Sequence, residues 1–436
     1  MLHSLVNRVR NVHPDHRRIV HGMVWVASFL LLSKLVGALK EMAIAWRYGI
    51  SSTVDAYLFV FNLVSWPVSV WMSVLSVVLI PIVARIRHES PSDLPQFRAQ
   101  LLGVALLVGL VLLAFSSWGL PALLSSGWLG LPDNTVRLAL AMTPILVWLT
   151  GLGVLVSLYS TWTMSAGRHA NTLLEGMPAL AILLGVLLTG GIEPLLWGTV
   201  TGTLVQLACL VGPFAGRKEM ERPDFRLSSP WWSPFRQGFS VMMVGQLLMS
   251  LTGIIDQFFA AHLGEGAIST LGYANRILSL LLGLGATAIS RATLPIFSQA
   301  HARGDMQVRA IALRWAKGMF GLGICGLLIG WLLAPAIVAL LFQRGVFTEA
   351  DTQRVSEIFR ISLFILPFYF SGLVLVSFLA SHGKQKQIAM VATVNLLVKI
   401  AACFALVPYL GLAGLIVATA VMQAVSAWLC YRSSVS

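Results

Sequence analysis

The chain has 436 residues, of which 57% are hydrophobic and 11% charged, with a mean hydropathy of +0.82. A soluble domain is nearer a quarter charged. This composition therefore argues against a cytosolic enzyme, a secreted disulfide scaffold or a disordered chain, and leaves a polytopic membrane protein. The formal charge of +13 reads as topology signal rather than a nucleic-acid surface.

In chain order, a basic stretch comes first (Arg8, Arg10, Arg17, Arg18). The first apolar run begins near Gly22, lasts more than twenty residues and has no small-residue cleavage pattern after it. Residues 1–23 are expected to be a retained cytoplasmic segment. Runs long enough to span a bilayer then recur along the whole chain. They predict twelve helices at about 24–46, 55–84, 100–124, 137–164, 172–190, 194–214, 236–262, 269–296, 314–342, 357–381, 388–409 and 411–431. No ten-residue alternating strands of a membrane barrel are present. With the N-terminus inside, twenty loop cations fall on the cytoplasmic side and about five outside, so both termini are expected in the cytoplasm.

The two halves resemble each other. Glu41 and Asp256 are 215 residues apart, as are Gly49 and Gly264; Pro81 and Pro295 are 214 apart, as are Pro121 and Pro335. A near-constant offset predicts a duplicated six-helix unit. The expected plan is an N-lobe at 24–214, a basic cytoplasmic linker at 215–236 and a C-lobe at 237–431. The two lobes would be pseudo-symmetric about a central cavity, as in alternating-access transporters.

Charges inside predicted spans carry the functional signal. A charge at the bilayer centre costs roughly 2.5–3.5 kcal/mol on the insertion scale, so it normally faces a polar cavity or a partner. Lys34, Lys40, Arg276 and Lys399 are such cations; Arg291 is near enough to the cytoplasmic end to snorkel. Glu41, Asp55 and Asp256 are the acids at similar depth. Lys34, Gly37 and Glu41 share one helix face by their spacing. Two readings stand. These groups either lock helices together as ion pairs, or they line a net-cationic cavity for an anion, with phosphate the natural ligand.

Other features carry no chemistry of their own. The nine histidines sit in or near loops or at a helix end, without catalytic or metal spacing. The four cysteines lie in apolar runs, and no Walker, dinucleotide or nucleophile-elbow motif occurs. No catalytic residue and no metal site are expected, and the chain is not read as an enzyme.

Five segments in order resemble one family. Ser33-Lys34-Leu35-Val36-Gly37-Ala38-Leu39-Lys40-Glu41 is similar to the first-helix S-R-x-x-G-x-x-R-D pattern of the MurJ (MviN) lipid flippases. Asp55-Ala56-Tyr57 resembles that family's D-A-F, and Ile255-Asp256 with Tyr273-Ala274-Asn275-Arg276 resembles its helix seven to eight segment. Leu294-Pro295 and Phe342-Gln343-Arg344-Gly345-Val346-Phe347-Thr348 resemble its L-P and F-x-R-G-x-F-T segments. The resemblance implies an all-α exporter of the superfamily that also holds O-antigen flippases and MATE antiporters. It implies that Lys34, Lys40 and Arg276 meet the diphosphate of an undecaprenyl-linked sugar. Glu41, Asp55 and Asp256 would then tune those charges or bind a coupling cation, H⁺ or Na⁺, with Lys399 a further cavity cation. No other cofactor is implied.

Three departures shape the expected substrate. Lysine replaces arginine at positions 34 and 40. Pro67, Val68, Ser69 and Ser73 stand where the family has an arginine pair and a glutamate. Twelve helices stand where fourteen are common. The expected function is therefore a bacterial inner-membrane flippase for an exopolysaccharide or O-antigen type of undecaprenyl-diphosphate-linked repeat unit. The first alternative is a lipid II flippase for peptidoglycan synthesis, and the second a MATE-type multidrug or cation antiporter. The expected partners are the lipid-linked substrate, membrane lipids and cell-envelope polysaccharide or peptidoglycan synthesis proteins, with no nucleic acid.

Overall fold

The computed structural model describes residues 14–166, 171–217, 219–302 and 308–435, and among these it contains helices and turns but no strand. The helices are α1 (Pro14–Tyr48), α2 (Ser52–Glu89), α3 (Asp93–Ser125), α4 (Asp133–Leu146), α5 (Trp148–Ser165), α6 (Asn171–Leu174) and α7 (Met177–Leu188). They continue with α8 (Glu193–Gly216), α9 (Trp232–Ala261), α10 (Ala267–Ala302), α11 (Val308–Phe342), α12 (Glu349–Ser362), α13 (Ile365–Ser381) and α14 (Gln385–Val435).

Eight of the described helical segments are long and apolar enough to cross a membrane, counting α12 and α13 as one. The bent pair α4–α5, the N-terminal α1, the short α6–α7 pair and the second half of α14 bring the passes to twelve. Three predicted spans are broken. Helix 137–164 bends by 44° between α4 and α5, just after Pro144, which has no N–H to give the helix ladder. Helix 172–190 restarts at Met177 with a proline in its first turn, and helix 357–381 restarts at Ile365. α14 joins the last two predicted spans, interrupted at Gly411 (φ 56°, ψ −133°), a backbone conformation that glycine adopts without strain. The two passes reverse tightly there: a Cβ on Gly414 would lie 2.5 Å from the Leu406 carbonyl oxygen.

Several helices also begin earlier than predicted. α11 starts at Val308 rather than 314 and α3 at Asp93 rather than 100, because charged residues such as Arg309 and Asp93 interrupt the apolar run without ending the helix. Large apolar side chains such as Phe115, Trp118, Leu332 and Tyr409 stay exposed, as lipid-facing surfaces require.

Packing divides the chain into two compact units. The first takes Met1–Ala43, Pro67–Ser116 and Ile145–Ser240; the second takes Ile44–Trp66, Ser117–Pro144 and Val241–Ser436. This division is not that of the expected lobes 24–214 and 237–431. Its boundaries run through α1, α2, α3, α9 and the α4–α5 break, and two of them fall at Pro67 and Pro144.

In the first unit α7 and α8 pack closely through glycine. A Cβ on Gly198 would come within 2.8 Å of the Ile182 Cα, and one on Gly202 within 2.5 Å of the Pro178 Cα. Small residues four apart are how membrane helices bring backbones together. In the second unit the inner face of α11 (Ala312, Ala316) meets Val374, Phe378 and Leu379 of α13 in one apolar cluster.

Candidate functional site

The second unit gathers polar groups from the loops and helix ends near residues 49, 134, 265 and 345. Asp55, in the first turn of α2, is 1% exposed. Its carboxylate accepts the Gly266 N–H at 2.5 Å and the Ser269 N–H at 2.7 Å. Those amides open α10, so the acid sits where unpaired N–H groups and the helix dipole favour negative charge. A bond to an ionised acceptor is about twice as strong as a neutral one. Around it, Ser52 donates to Glu265, Asn134 donates to Ser52 at 3.1 Å, and the Tyr273 hydroxyl donates to the Gly49 carbonyl at 3.0 Å.

The Phe342–Thr348 segment belongs to the same cluster. The Val346 N–H donates to the Trp46 carbonyl at 2.9 Å. Gly345 has φ +59°, and a Cβ there would lie 2.3 Å from the Trp46 oxygen. Phe342 and Phe347 pack on Tyr273 with ring centroids 5.0 and 5.4 Å away. The glycine of that motif is thus needed for backbone-to-backbone approach, and its aromatic residues hold the turn. Segments 44–66 and 117–144 are joined in this way to the C-terminal half.

A second polar cluster lies within the helices of this unit. Lys399, on the first pass of α14, is wholly buried, and its ammonium is 2.6 Å from an Asp256 carboxylate oxygen on α9. It also donates to the Leu415 carbonyl at 3.2 Å and to the Thr419 hydroxyl on the second pass. Three passes are pinned by one ammonium. The carboxylate and the lysine, expected in separate roles, are here each other's partner.

The remaining expected residues are placed as follows. Lys34 is exposed on α1 in the first unit. Lys40 pairs with its chain neighbour Glu41, both partly shielded. Arg276 is half-buried on α10 in the second unit, its guanidinium beside Gly272. Lys34, Lys40 and Glu41 thus stand in one unit, and Arg276, Asp55, Asp256 and Lys399 in the other. Asp55 caps a helix and Asp256 holds Lys399. Arg291 carries no described side chain.

Sequence reading missed the anchor of the basic linker. Gln100, buried on α3, accepts from the Trp232 indole N–H at 2.7 Å and the Ser229 N–H at 3.1 Å, and donates to the Ser228 hydroxyl at 2.8 Å. Trp232 packs tilted and Phe235 edge-on against Phe97. Arg98 reaches Glu219 at 3.8 Å and lies over the rings of Trp162 and Phe214. In this linker the Asp224 carboxyl is held below the usual range, first by the Arg226 backbone N–H and also by Gln100. The only signal in the sequence was an amide at the start of an apolar run.

The fold and its polar clusters can now be set against known proteins. A family model described as "Lipid II flippase MurJ" matches residues 44–435. The chain belongs to the MurJ lipid II flippase family. A probable lipid II flippase MurJ of Helicobacter pylori strain 26695 is 30% identical over 370 residues, covering 76% of this chain and 79% of the relative. The Burkholderia cenocepacia lipid II flippase MurJ is 25% identical over 421 residues, covering 91% and 80%. Among solved structures, a MurJ in an inward closed conformation superposes with a TM-score of 0.83 at 18% identity, covering 95% of this chain and 88% of that one. An inward-facing MATE transporter reaches 0.75 at 16% identity, covering 94% and 97%. MurJ proteins are multi-pass membrane transporters and not catalytic enzymes, so the non-enzymatic, all-helical reading holds.

Proposed function

We propose that the chain carries lipid II from the inner to the outer leaflet of the bacterial cytoplasmic membrane by alternating access. The observation that supports this most is the family match over residues 44–435, together with relatives that carry the lipid II flippase name. These relatives favour lipid II over the exopolysaccharide or O-antigen unit expected from the lysine substitutions. Lysine at positions 34 and 40 keeps the positive charge and loses only the bidentate fork, so a diphosphate can still be met.

In this reading Lys34 and Lys40 on α1 form one set of phosphate-facing cations, and Arg276 on α10 is another. The asymmetry of the loop cations supports a topology with both termini in the cytoplasm. The Asp55–Gly266–Ser269 bonds then lie toward the outer side. An inside-negative potential of 100 mV favours outward transfer of each negative charge by about 2.3 kcal/mol, roughly 4–5 kcal/mol for two phosphate charges. The potential can then help to drive export.

Complementation of a strain depleted of its essential lipid II flippase tests the reading. Wild type is expected to rescue growth, and Lys34→Ala and Arg276→Ala to lose rescue. A membrane-inserted wild type that fails to rescue would return the assignment to another lipid-linked saccharide.

A further inference from the structure

The Lys399 cluster is not used by this mechanism, and a wholly buried lysine inside a membrane protein asks for a role. Its ammonium is surrounded by oxygens from three passes: the Asp256 carboxylate at 2.6 Å, the Leu415 carbonyl at 3.2 Å and the Thr419 hydroxyl. One turn earlier on the same face stands Asn395, whose buried side-chain oxygen meets no donor among the described residues. The Leu415 carbonyl comes from the first turn after the break at Gly411. A carboxylate, a backbone carbonyl near a broken helix and a hydroxyl form the donor set that transporters use to hold a small monovalent cation. Here the position is taken by a charge that cannot leave.

We propose that Lys399 is a tethered cation: its ammonium fills an oxygen-lined cation position built from Asp256, Leu415 and Thr419, so that no exchangeable cation binds there. An ammonium carries the charge of Na⁺ or K⁺ and donates to the oxygens that would coordinate such an ion. It therefore keeps α9 and both passes of α14 in their cation-filled arrangement at any salt composition. Coupling to a cation at Asp256 is thereby removed, and the drive must come from elsewhere. This inference concerns a site apart from the phosphate-facing cations, and its test needs no lipid substrate. A failure of the lipid II reading would leave it standing.

The test is thermal unfolding of the purified full-length protein in NaCl against choline chloride at equal ionic strength, with equilibrium ²²Na⁺ binding alongside. Wild type is expected to melt at the same temperature in both salts and to bind no ²²Na⁺ saturably. Lys399→Ala leaves the oxygens and removes the ammonium. It is expected to melt lower in choline and to regain roughly 2–4 °C in 100 mM NaCl, a gain lost in Lys399→Ala combined with Asp256→Asn. If Lys399→Ala does not accumulate, Lys399→Ser and the wild-type ²²Na⁺ measurement decide. Saturable ²²Na⁺ binding to wild type that Asp256→Asn abolishes would overturn the proposal, as would folded Lys399→Ala or Lys399→Ser indifferent to Na⁺, Li⁺ and K⁺.

Discussion

Asp55 and Gly266 are 211 residues apart, yet a carboxylate oxygen of the first lies 2.5 Å from the amide nitrogen of the second. The side chain of one helix's first turn thereby caps the start of another. Truncating it leaves two buried N–H groups without an acceptor, which costs about 1–3 kcal/mol. Asp55→Ala is expected to lower the unfolding temperature by several degrees. Asp55→Asn, which keeps an acceptor but not the charge, is expected to lose less. Equal losses in both would show that the charge carries the whole effect and a neutral acceptor none of it.

Gly345 meets two constraints, its positive φ and the Trp46 oxygen at 2.3 Å from any Cβ. Gly127 has a similar φ of +72° with nothing within 4 Å. Gly345→Ala is therefore expected to destabilise by about 2 kcal/mol or more, and Gly127→Ala by about 1 kcal/mol. Thermal unfolding of the two purified variants makes the comparison.

Thr348 begins α12 with a capping box. Its hydroxyl accepts the Asp351 N–H at 3.2 Å, and the Asp351 carboxylate accepts the Thr348 N–H at 2.9 Å. Thr348→Ala is expected to cost about 1 kcal/mol, and Thr348→Ser close to nothing. Chemical or thermal unfolding of the pair reads the difference.

The linker should respond to Gln100 and not to ordinary changes of pH. Gln100→Leu removes its bonds to Ser228, Ser229 and Trp232. Faster tryptic cleavage at Arg222 and Arg226 is expected. The Asp224 carboxyl is held below its usual range, so its contribution is complete above its unfolded-state value of about 3.9 and is lost only as pH falls through the lower folded value. Tryptic protection of wild type measured from pH 8 down to pH 5 should stay constant.

Much of the fold was legible because lipid imposes long apolar runs, and those runs are visible one residue at a time. The breaks were less so: Pro144 stands before the α4–α5 bend, but a proline inside α3, Pro121, leaves its helix continuous. A polar first turn such as that of α3 hid where the helix begins. The charged residues were found by their depth, and their partners were not. Asp256 and Lys399 lie 143 residues apart, and only the packing of α9 on α14 makes them a pair. Asp55 was read as a cavity acid because a carboxylate in a span suggests function; backbone amides, which no sequence pattern displays, are what it binds. The Phe342–Thr348 motif gave family likeness, and its reason, the close approach of Gly345 to Trp46, needed coordinates.

The most direct measurement is lipid II translocation itself, followed in vesicles reconstituted with the purified full-length protein by the accessibility of the headgroup to an external probe. Wild type is expected to expose lipid II faster under a membrane potential negative on the side from which lipid II leaves, and Arg276→Ala to fall at least tenfold. Translocation of another undecaprenyl-diphosphate-linked saccharide with lipid II left behind would contradict the account.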